Sequence, residues 1–312
     1  MNENIAIITG GDSSERDVSL QTANAIAESF RKQNITHAIF IVANFEDFIH
    51  LDLNSFSRVF LALHGGFGEN GMAQAYLEGI GKPFNGPSFQ TSSICMDKRA
   101  TKHIAKSLGV SVANYMFFTG SSDIDFESVK HHLGHTLIVK PNREGCSFGV
   151  SLIHDNPHHF HAAVTKAEAY QSGILIEEFI SGQELSVCYY HGNILPIYSL
   201  DFETDFFSYD AKFKSTKTTA TLITLDDECY RKLSIDCHAL AKTLDLDYFR
   251  ADIIVRDSTP YLLELNTLPG LTSHSLFPKA CKEGGISFDS LVLHLNSLTN
   301  NGVRPSNHGN IP

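Results

Sequence analysis

Strand patterns alternate with helical patterns along almost the whole of this 312-residue chain, and this alternation restricts the fold more than any other feature. The short apolar runs are typical of buried strands, and the longer amphipathic stretches between them are typical of helices that cover a sheet. Chains with this order of elements fold as α/β proteins. We therefore predict an α/β fold, with α+β character in part.

The N-terminal part of the chain forms a unit of its own. A strand pattern at Ile5–Thr9 leads through Gly10 and Gly11 into a helix pattern that ends near Arg31. Two more strand patterns and one helix pattern come next, at Ala38–Val42, Val59–Leu63 and Met72–Gly81. We interpret residues 1–90 as a small domain with a doubly wound parallel sheet.

The rest of the chain divides into a central and a C-terminal unit. An amphipathic helix is predicted at Lys98–Leu108, where Gly109 ends it. Further strands are predicted at Leu137–Lys140, from Val150, and at Ile174–Phe179, Leu185–Tyr190, Ile194–Leu200, Arg250–Val255 and Tyr261–Leu265, with helices at Pro157–Gln171, Asp226–Leu244 and Phe288–Leu298. We place a central subdomain at 91–178, a C-terminal domain at 179–300 and a flexible, Asn/Gly/Pro-rich tail at 301–312.

Charge and composition limit the partners of the chain. The 24 Lys+Arg residues against 35 Asp+Glu residues give a net charge of −11, which argues against nucleic acid and anionic membranes. No apolar run approaches the roughly 18 residues of a membrane span, and no signal peptide is evident at the N-terminus. The six cysteines form no Cys-x-x-Cys pair, so neither a zinc site nor a disulfide framework is indicated. We expect a cytoplasmic protein.

Two neighbouring strand patterns carry oxygen ligands. Arg250 and Asp252 alternate on the first strand and therefore share a face, and Glu264 and Asn266 do the same on the second. If the strands pair, two carboxylates and an amide oxygen meet beside an arginine. Such a set of oxygen ligands suits Mg²⁺ and the phosphates of a nucleotide. The alternative is that these positions face solvent, but two adjacent strands with the same pattern favour the metal.

A glycine-rich loop comes after the strand that ends at Lys140. The run Lys140–Gly149 contains two glycines and Ser147, and its backbone N–H groups could surround phosphates while the Lys140 ammonium binds them. The loop lacks the Gly-Lys-Ser/Thr of a Walker motif. Glycine-rich turns are common, so the loop alone does not establish a phosphate site.

Acidic residues next to apolar runs are candidates for nucleotide and substrate contacts. The segment from Glu177 to Ile180, with Glu184 after it, could present acceptors to an adenine amine and to ribose hydroxyls, although an acidic turn alone often only faces solvent. Glu15 opens a helix, where it either interacts with the helix dipole or binds a substrate ammonium.

The loop after Asn266 is rich in turn formers and hydroxyls. It can offer the backbone N–H of Gly270 to an oxyanion and the hydroxyl of Ser275 to a carboxylate.

These motifs, in this order, resemble those of the D-alanine–D-alanine ligases of the ATP-grasp superfamily. The resemblance extends from Ile5 to about residue 298. The runs that carry it are GGDSSERDVSL (10–20), LHGGFGENG (63–71), MDK (96–98), VKPNREG (139–145), RAD (250–252) and LELNTLPGLTSHSL (263–276). A dinucleotide-binding interpretation of Gly10 and Gly11 is excluded, because GxGxxG is absent.

The resemblance implies a three-domain ATP-grasp enzyme that uses ATP and two Mg²⁺ (or Mn²⁺) ions to join D-alanine to a second small substrate, and a homodimer. It implies roles in ATP binding for Lys98, Lys140, Glu177, Glu178, Phe179, Ile180, Glu184 and Lys212, and in metal binding for Asp252, Glu264 and Asn266. It implies catalytic roles for Glu15, Cys146, Ser147, Arg250 and Gly270, and substrate contacts for Glu15, His64, Phe213, Ser275 and Leu276. The alternative for His64 is a histidine that ends a strand and is satisfied by a turn.

Two departures from the family bear on the second substrate. The family usually has serine where this chain has Cys146 and tyrosine where it has Phe213, and these hydroxyls bond with the glutamate that matches Glu15. A thiol is only a weak donor and a phenyl ring is none. D-alanine remains the expected second substrate, and D-lactate or another small amino acid is the alternative. A non-catalytic paralogue that senses nucleotide or amino acid is a further alternative. It is disfavoured because the charged and polar positions expected for ATP and metal are all filled, by Lys140, Lys212, Asp252, Glu264 and Asn266.

Overall fold

The computed structural model describes residues 4–201 and 219–298, which form three sheets. One sheet is parallel and lies in the N-terminal part of the chain, and the other two are antiparallel. The predicted α/β class is confirmed. No helix in the described part of the chain has the length and apolar character needed to cross a bilayer.

The N-terminal sheet has the strand order β2-β1-β3, with all strands parallel. Its elements are β1 (Asn4–Gly10), α1 (Arg16–Lys32), β2 (Thr36–Val42), α2 (Phe45–Ile49), β3 (Arg58–Ala62), α3 (Gly66–Glu69) and α4 (Met72–Gly79). Alternate residues of β1 point to opposite faces, so Ile5 and Ile7 pack against α1 while Ala6 and Ile8 pack on the side of α2 and α4. Helices therefore cover both faces, as the doubly wound interpretation predicts.

The central part contains a four-stranded antiparallel sheet of order β4-β7-β5-β6. Its elements, with the two helices that precede it, are α5 (Phe89–Met96), α6 (Lys98–Ser107), β4 (Tyr115–Phe118), α7 (Phe126–Leu133), β5 (Thr136–Pro141), β6 (Ser151–His154), α8 (Pro157–Glu168) and β7 (Ile174–Glu178). Helix α8 ends at Glu168, before the predicted Gln171, because Gln171 adopts a left-handed backbone conformation with φ 53°.

The C-terminal part is built on a six-stranded antiparallel sheet in which β11, β10, β8, β12 and β13 are successive neighbours and β9 pairs with β8. Its elements are β8 (Gln183–Tyr190), β9 (Asn193–Ile194), β10 (Ile197–Asp201), β11 (Thr219–Ile223), α9 (Asp227–Leu244), β12 (Tyr248–Arg256), β13 (Thr259–Asn266), α10 (Leu276–Glu283) and α11 (Phe288–Ser297). The single strand predicted at Ile194–Leu200 is wrong. Pro196 lies between β9 and β10, and a proline cannot donate a hydrogen bond to a continuous ladder.

Strand β13 contains a bulge beside β12. Asp252 pairs with Glu264, but the next residue, Ile253, pairs with Leu262, so one residue of β13 has no counterpart. The alternation of buried positions shifts by one at this point, from Pro260 and Leu262 to Leu265. The bulge therefore lies next to the residues that the sequence marks as candidate metal ligands.

The apolar cores link the three sheets unequally. One cluster joins Ile7 and Phe30 of the N-terminal sheet and α1 to Tyr198 and to Phe277 of the C-terminal part. Another contains residues of α5, α6 and the segment after α6, packed on the C-terminal sheet (Cys95, Ala105, Val110 and Val112 against Leu185, Phe249 and others). The core of the four-stranded sheet draws all its buried members from residues 124–176. The four-stranded sheet thus has a core of its own.

Candidate functional site

The paired strands β12 and β13 bring the predicted oxygen ligands together. Asp252 lies opposite Glu264, and Arg250 lies opposite Asn266. The Arg250 guanidinium binds the Asp252 carboxylate through Nε (2.8 Å) and Nη2 (2.9 Å). Although burial opposes the charge, the Asp252 and Glu264 carboxylates raise the pKa of Arg250. The arginine is therefore a fixed cation at the edge of the carboxylate pair.

The donors at this strand pair fit a Mg²⁺ ion. Asn266 Oδ1 is buried and has no hydrogen-bond partner among the described residues, as expected for an oxygen that awaits a cation. Each carboxylate oxygen has two lone pairs, so Asp252 can accept a metal while it holds Arg250. No cluster of three or more His, Cys, Asp or Glu side chains suited to a metal occurs in residues 4–201 and 219–298. Two carboxylates and an amide oxygen are instead the hard-oxygen set that Mg²⁺ accepts together with water and phosphate.

Helix α6 places two lysines on one buried face. The Asp97 side chain caps the helix by accepting from the Ala100 N–H (2.9 Å), and Asn142 Oδ1 accepts from the Arg99 N–H (2.9 Å). Lys98 Nζ then lies 3.1 Å from Glu264 Oε2 and donates to the Glu144 carbonyl at 2.6 Å. Lys102 comes four residues later on the same face, one helical turn away.

A buried cluster joins α6 to the four-stranded sheet. Glu177 on β7 binds Lys102 through Oε1 and Lys140 of β5 through Oε2, both at 2.9 Å. Burial would raise the pKa of Glu177, but the two ammonium groups outweigh it and hold that pKa below its usual range. Burial, with Lys102 and Lys98 nearby, lowers the pKa of Lys140. Lys102 is a functional candidate that the sequence reasoning missed, and its only signal was a lysine at a buried helical position.

The other predicted ATP contacts surround a cavity of about 400 Å³, here called the central cavity, between the four-stranded and six-stranded sheets. Its lining includes Lys98, Lys140, Glu177, Glu178, Phe179, Ile180, Glu184, Asp252 and Glu264. The Glu178 carboxylate accepts a hydrogen bond from the backbone N–H of Asn114 at 2.8 Å. Glu178 therefore holds the segment before β4 and also lines the central cavity. Ile180 is buried.

A second cavity of about 450 Å³, here called the N-terminal cavity, lies between the N-terminal unit and the C-terminal sheet. Its lining includes Glu15, His64, Glu69, Cys146, Arg250, Asn266, Gly270, Ser275 and Leu276. The two cavities share Lys98, Glu144, Leu200 and Glu264 as a common wall. A group bound in one cavity therefore faces a group bound in the other across this wall.

Glu15 begins α1 and lies close to two glycine backbones. It is the N-cap residue, but its side chain makes no capping hydrogen bond. A Cβ atom at Gly65 would come within 3.0 Å of Glu15 Oε2, and one at Gly145 within 3.3 Å. The absence of side chains at both positions lets the carboxylate lie at the cavity wall.

His64 is held on both sides of its ring. Its Nε2 lies 2.9 Å from Thr22 Oγ1 and its Nδ1 lies 3.1 Å from the Leu268 carbonyl oxygen, so both ring nitrogens have protein partners. Glu69 lies 3.7 Å from Nδ1, and burial together with the charge of Glu15 raises the pKa of Glu69. Glu69 is a second candidate that sequence reasoning did not single out, because an acid near a turn gives no signal of burial.

The loop before α10 places Gly270 against Ser275. A Cβ at Gly270 would lie 2.7 Å from Ser275 Oγ, so only glycine fits without moving that hydroxyl. Ser275 Oγ accepts the Thr272 N–H at 3.2 Å and lies 2.9 Å from Thr272 Oγ1. Ser275 and Leu276 thus enter the cavity wall where α10 begins.

The glycine-rich loop divides its side chains between the two cavities. Cys146 (φ 51°) and Ser147 (φ 59°) both have left-handed backbone conformations. Cys146 lines the N-terminal cavity, and Ser147 lines the central cavity. The predicted residues Lys212 and Phe213 lie outside the described residues.

Comparisons with known proteins agree on one family. The family model described as D-ala D-ala ligase C-terminus matches residues 104–297. A D-alanine–D-alanine ligase from Clostridium botulinum (strain Loch Maree / Type A3) is 36% identical over 290 residues, which are 92% of this chain and 95% of that protein. The crystal structure of a D-alanine–D-alanine ligase from Bacillus anthracis has a TM-score of 0.83 at 33% identity, covering 94% of this chain and 95% of its own. A structure of the Bacillus anthracis ligase complexed with ATP has a TM-score of 0.82 at 31% identity, covering 94% of this chain and 96% of its own.

Proposed function

Because the chain belongs to the D-alanine–D-alanine ligase family, it is an ATP-dependent ligase that joins two D-alanines for peptidoglycan synthesis, and we propose how its two cavities divide this work. ATP binds in the central cavity, and the two amino acids bind in the N-terminal cavity. The observation that carries this assignment is the common wall of Lys98, Glu144, Leu200 and Glu264. The phosphoryl group that is transferred would then lie beside these four residues, next to both cavities.

The reaction proceeds in two steps at the common wall. A carboxylate oxygen of the first D-alanine attacks the γ-phosphorus of ATP, the bond to the β-phosphate breaks, and ADP leaves. The amine of the second D-alanine then attacks the carbonyl carbon of the acyl phosphate, loses a proton, and expels inorganic phosphate. Both steps move negative charge, so positioning and charge neutralisation provide most of the catalysis.

In the ATP site, Lys98 and Lys140 bind phosphates, and Lys212 is proposed to reach the transferred phosphoryl group. Glu177 accepts from the adenine amine, and Glu184 accepts from the ribose, with Phe179 and Ile180 as apolar neighbours. Glu178 contributes to the same wall. The support for these roles is that all the described residues among them line one cavity.

For the metal, Asp252, Glu264 and Asn266 are proposed to hold two Mg²⁺ (or Mn²⁺) ions. When bound, the ions neutralise the phosphate charge as the bond to the γ-phosphorus changes. The orphaned Asn266 Oδ1 and the facing carboxylates support this assignment. The Lys98 ammonium, at 3.1 Å from Glu264, holds that carboxylate beside the wall between the cavities.

In the amino-acid site, Glu15 binds the ammonium of the first D-alanine. Arg250 and the Gly270 N–H stabilise the oxyanion of the tetrahedral intermediate. Ser275, beside Leu276, binds the carboxylate of the second substrate. His64 is held by Thr22 and Leu268, so we assign it the shaping of this pocket. Cys146 and Ser147 belong to the loop that separates the nucleotide from the amino acids.

A second candidate is ligation to D-lactate or to another small amino acid instead of D-alanine. It rests on the thiol of Cys146, which lines the N-terminal cavity where the family usually has a serine hydroxyl. The phenyl ring of Phe213 is the other departure and lies outside the described residues. A competition between D-alanine and D-lactate distinguishes the two functions by the mass of the product.

We further propose a homodimer in the cytoplasm, built from units at 1–90, 91–178 and 179–300. The six cysteines are free and buried, as is usual in a reducing compartment. Strand β2 is the edge of the N-terminal sheet and exposes Ile39 and Ile41, the latter 61% exposed, which supports a contact through this unit.

The first experiment combines purified protein, ATP, Mg²⁺, D-alanine and D-lactate, and analyses the products by mass spectrometry. We expect D-alanyl-D-alanine as the main product, with ADP and phosphate. The Glu264→Gln variant should lose activity by more than about 100-fold and keep its fold, because it loses a charge at the transferred phosphoryl group.

The matched control is Glu228→Gln, which removes an exposed carboxylate from the first turn of α9 and should behave as wild type. Substantial activity in well-folded Glu264→Gln would refute the site. Nucleotide binding without any ADP release from the wild type would identify a sensor rather than an enzyme.

A further inference from the structure

Lys102 is a buried cation that no cavity explains. Its side chain is 1% exposed, and it lines neither the central nor the N-terminal cavity. A lysine is rarely buried unless an opposite charge compensates the loss of hydration. The Glu177 carboxylate, 2.9 Å from its Nζ, provides that charge. Lys102 therefore acts on a residue of the nucleotide cavity without reaching the nucleotide.

Glu177 is held from two sides. Lys102 binds its Oε1 from helix α6, and Lys140 binds its Oε2 from strand β5. Because these partners belong to different elements, the plane and the position of the carboxylate are both restricted. Its pKa is depressed by Lys102 and Lys140 despite its burial, so Glu177 remains ionised at neutral pH. An ionised carboxylate accepts hydrogen bonds and donates none.

Lys140 and Lys102 differ in whether a bound nucleotide can contact their ammonium groups. Lys140 lines the central cavity, and when phosphates bind there its ammonium is shared between Glu177 and the phosphates. Lys102 lines neither cavity and has no such competitor. It is therefore the partner that keeps Glu177 charged and oriented while ATP is bound.

We propose that Lys102 is a positioning residue for nucleotide selection, which holds Glu177 as a fixed acceptor that admits a 6-amino purine and rejects a 6-oxo purine. This inference rests on the proposed function, in which Glu177 faces the adenine amine. Adenine presents an N–H donor to the carboxylate, whereas hypoxanthine presents a carbonyl oxygen at the same place. The Glu177 carboxylate and the hypoxanthine carbonyl are both acceptors, so they repel each other when no proton lies between them. A site built to accept from the adenine amine therefore rejects the 6-oxo purine strongly.

Removal of Lys102 should weaken this selection in a specific way. Without the Oε1 partner, the carboxylate can turn toward Lys140 or take up a proton, since burial alone favours the neutral acid. A carboxylic acid can donate to the carbonyl of hypoxanthine. The preference for ATP over ITP should therefore fall, mostly through KM for the nucleotide, while kcat at saturating ATP changes little.

The test measures kcat/KM for ATP and for ITP, and the dissociation constants of both by calorimetry, in wild type and in Lys102→Met. In Lys102→Met, we expect the ratio of kcat/KM for ATP to kcat/KM for ITP to fall by about 10-fold or more. This factor corresponds to the loss of one hydrogen bond to a charged group. Lys102→Arg should keep most of the ratio. Lys106→Met is the control, because Lys106 lies one turn further along α6, is exposed, and packs over Tyr115.

A general loss of stability would lower kcat or the melting temperature without changing the ratio. An unchanged ratio in folded Lys102→Met would overturn the proposal. A double variant, Lys102→Met with Glu177→Gln, removes both buried charges and leaves neither of them unpaired. It therefore provides the test if the single variant fails to fold. Its ratio should equal that of Glu177→Gln alone, and a further drop would show that Lys102 acts elsewhere. Failure of the proposed function is seen separately, as no ADP from wild type with ATP and D-alanine.

Discussion

At the scale of single residues, the lysines of the central cavity are held by carboxylates, because Glu177 binds Lys140 and Glu264 binds Lys98. Lys102 also binds Glu177, and Lys98 lies near enough to Lys140 to help lower the pKa of Lys140. Buried charges are tolerated where partners and ligands compensate them. A polyphosphate bound beside Lys98 and Lys140 would share these two ammonium groups with the carboxylates that now hold them.

The lowered pKa of Lys140 predicts how ATP binding depends on pH. Burial, with Lys102 and Lys98, moves this pKa below the ordinary value of 10.5. Only the ammonium form binds phosphate, so affinity should be full below the lowered pKa of Lys140 and fall as the pH rises through it. Calorimetry between pH 7 and 10 measures this decline. Lys140→Arg should abolish it, because a guanidinium stays charged.

Lys106→Arg serves as the control, since Lys106 is exposed and should leave the pH profile as in wild type. The comparison concerns the slopes of the profiles and not the absolute affinities. The same alkaline decline in Lys140→Arg would assign the titration to another group.

The sequence allowed most of the candidate residues to be named, because they stand in runs typical of the family. Lys102 and Glu69 were not named, since their importance comes from burial next to Glu177 and His64. Those partners are 75 residues further along the chain for Lys102 and five residues earlier for Glu69. A pairing of this kind depends on how elements pack, which local patterns do not encode.

At the scale of elements, helix α6 connects its N-terminal cap, Asp97, to the wall of the central cavity, which Lys98 lines. Its first turn is held by Asp97 and Asn142, and Lys98 and Lys102 share one face because the helix has 3.6 residues per turn. Arg143 of the glycine-rich loop also binds Asp97 at 2.9 Å, so the Asp97 side chain holds both the loop and the first turn of α6. A change in the cap should therefore reach both lysines.

Asp97→Ala should lower the free energy of unfolding by about 1 kcal/mol, the usual value of a lost cap. It should also raise KM for ATP several-fold, because Lys98 is the first residue of the helix. The control is Asn156→Ala, which removes the equivalent cap of α8, where Asn156 accepts from the His159 N–H at 3.0 Å. It should cost similar stability and leave KM unchanged. Equal effects on KM in the two variants would contradict the coupling.

Long periodic elements were predicted well, and short ones were not. The helices α1, α6 and α9 agree with their patterns because an apolar face recurs over several turns. Strand β4 (Tyr115–Phe118) and helix α5 (Phe89–Met96) were not predicted. Four residues in a row of Tyr, Met and Phe show no period, and α5 mixes hydroxyls with apolar residues. Their structure depends on their neighbours, β7 for the strand and α4 and α6 for the helix.

At the scale of the whole molecule, the four-stranded sheet is the part with the most independent core. Its cluster is drawn from residues 124–176, whereas the N-terminal and C-terminal sheets share a cluster. Units with their own cores open locally at lower free energy than the whole protein. Lys140 and Glu177 lie on this sheet, while Asp252 and Glu264 lie on the C-terminal one. Bound nucleotide would therefore join two units that otherwise pack separately.

Phe160→Ala should show this by hydrogen exchange with mass spectrometry. Phe160 is fully buried in the core of the four-stranded sheet, and the loss of its ring should cost about 3–5 kcal/mol. Amides of β5, β6 and β7 should exchange faster, with little change in β1 and β3, and added ATP should restore much of the protection. The control, Phe48→Ala, removes an equally buried ring from the N-terminal core. It should speed exchange there instead, and uniform exchange in both variants would indicate a single cooperative unit.

The order of strand and helix patterns in the sequence predicts how the chain divides into sheets. It does not predict which helices and sheets share an apolar core. Chain order alone assigns residues 91–112 to the central unit. In the structure, Cys95, Ala105, Val110 and Val112 pack on the C-terminal sheet. The reason is that α6 presents an apolar stripe, and the sequence alone does not say which sheet it covers.

The bulge in β13 has a consequence for how such a chain can vary. The one unmatched residue shifts the phase of the strand, so that Leu262 and Leu265 both pack in the core while Glu264 and Asn266 line the N-terminal cavity. A substitution of Leu263 would then affect only how well the new side chain packs. Its deletion would make Leu262 and Glu264 adjacent in a regular strand, so Leu262 would still face the core and Glu264 the cavity, and only the local bend of the bulge would be lost. The chain can therefore lose one residue at the bulge without reversing the face on which Glu264 and Asn266 lie.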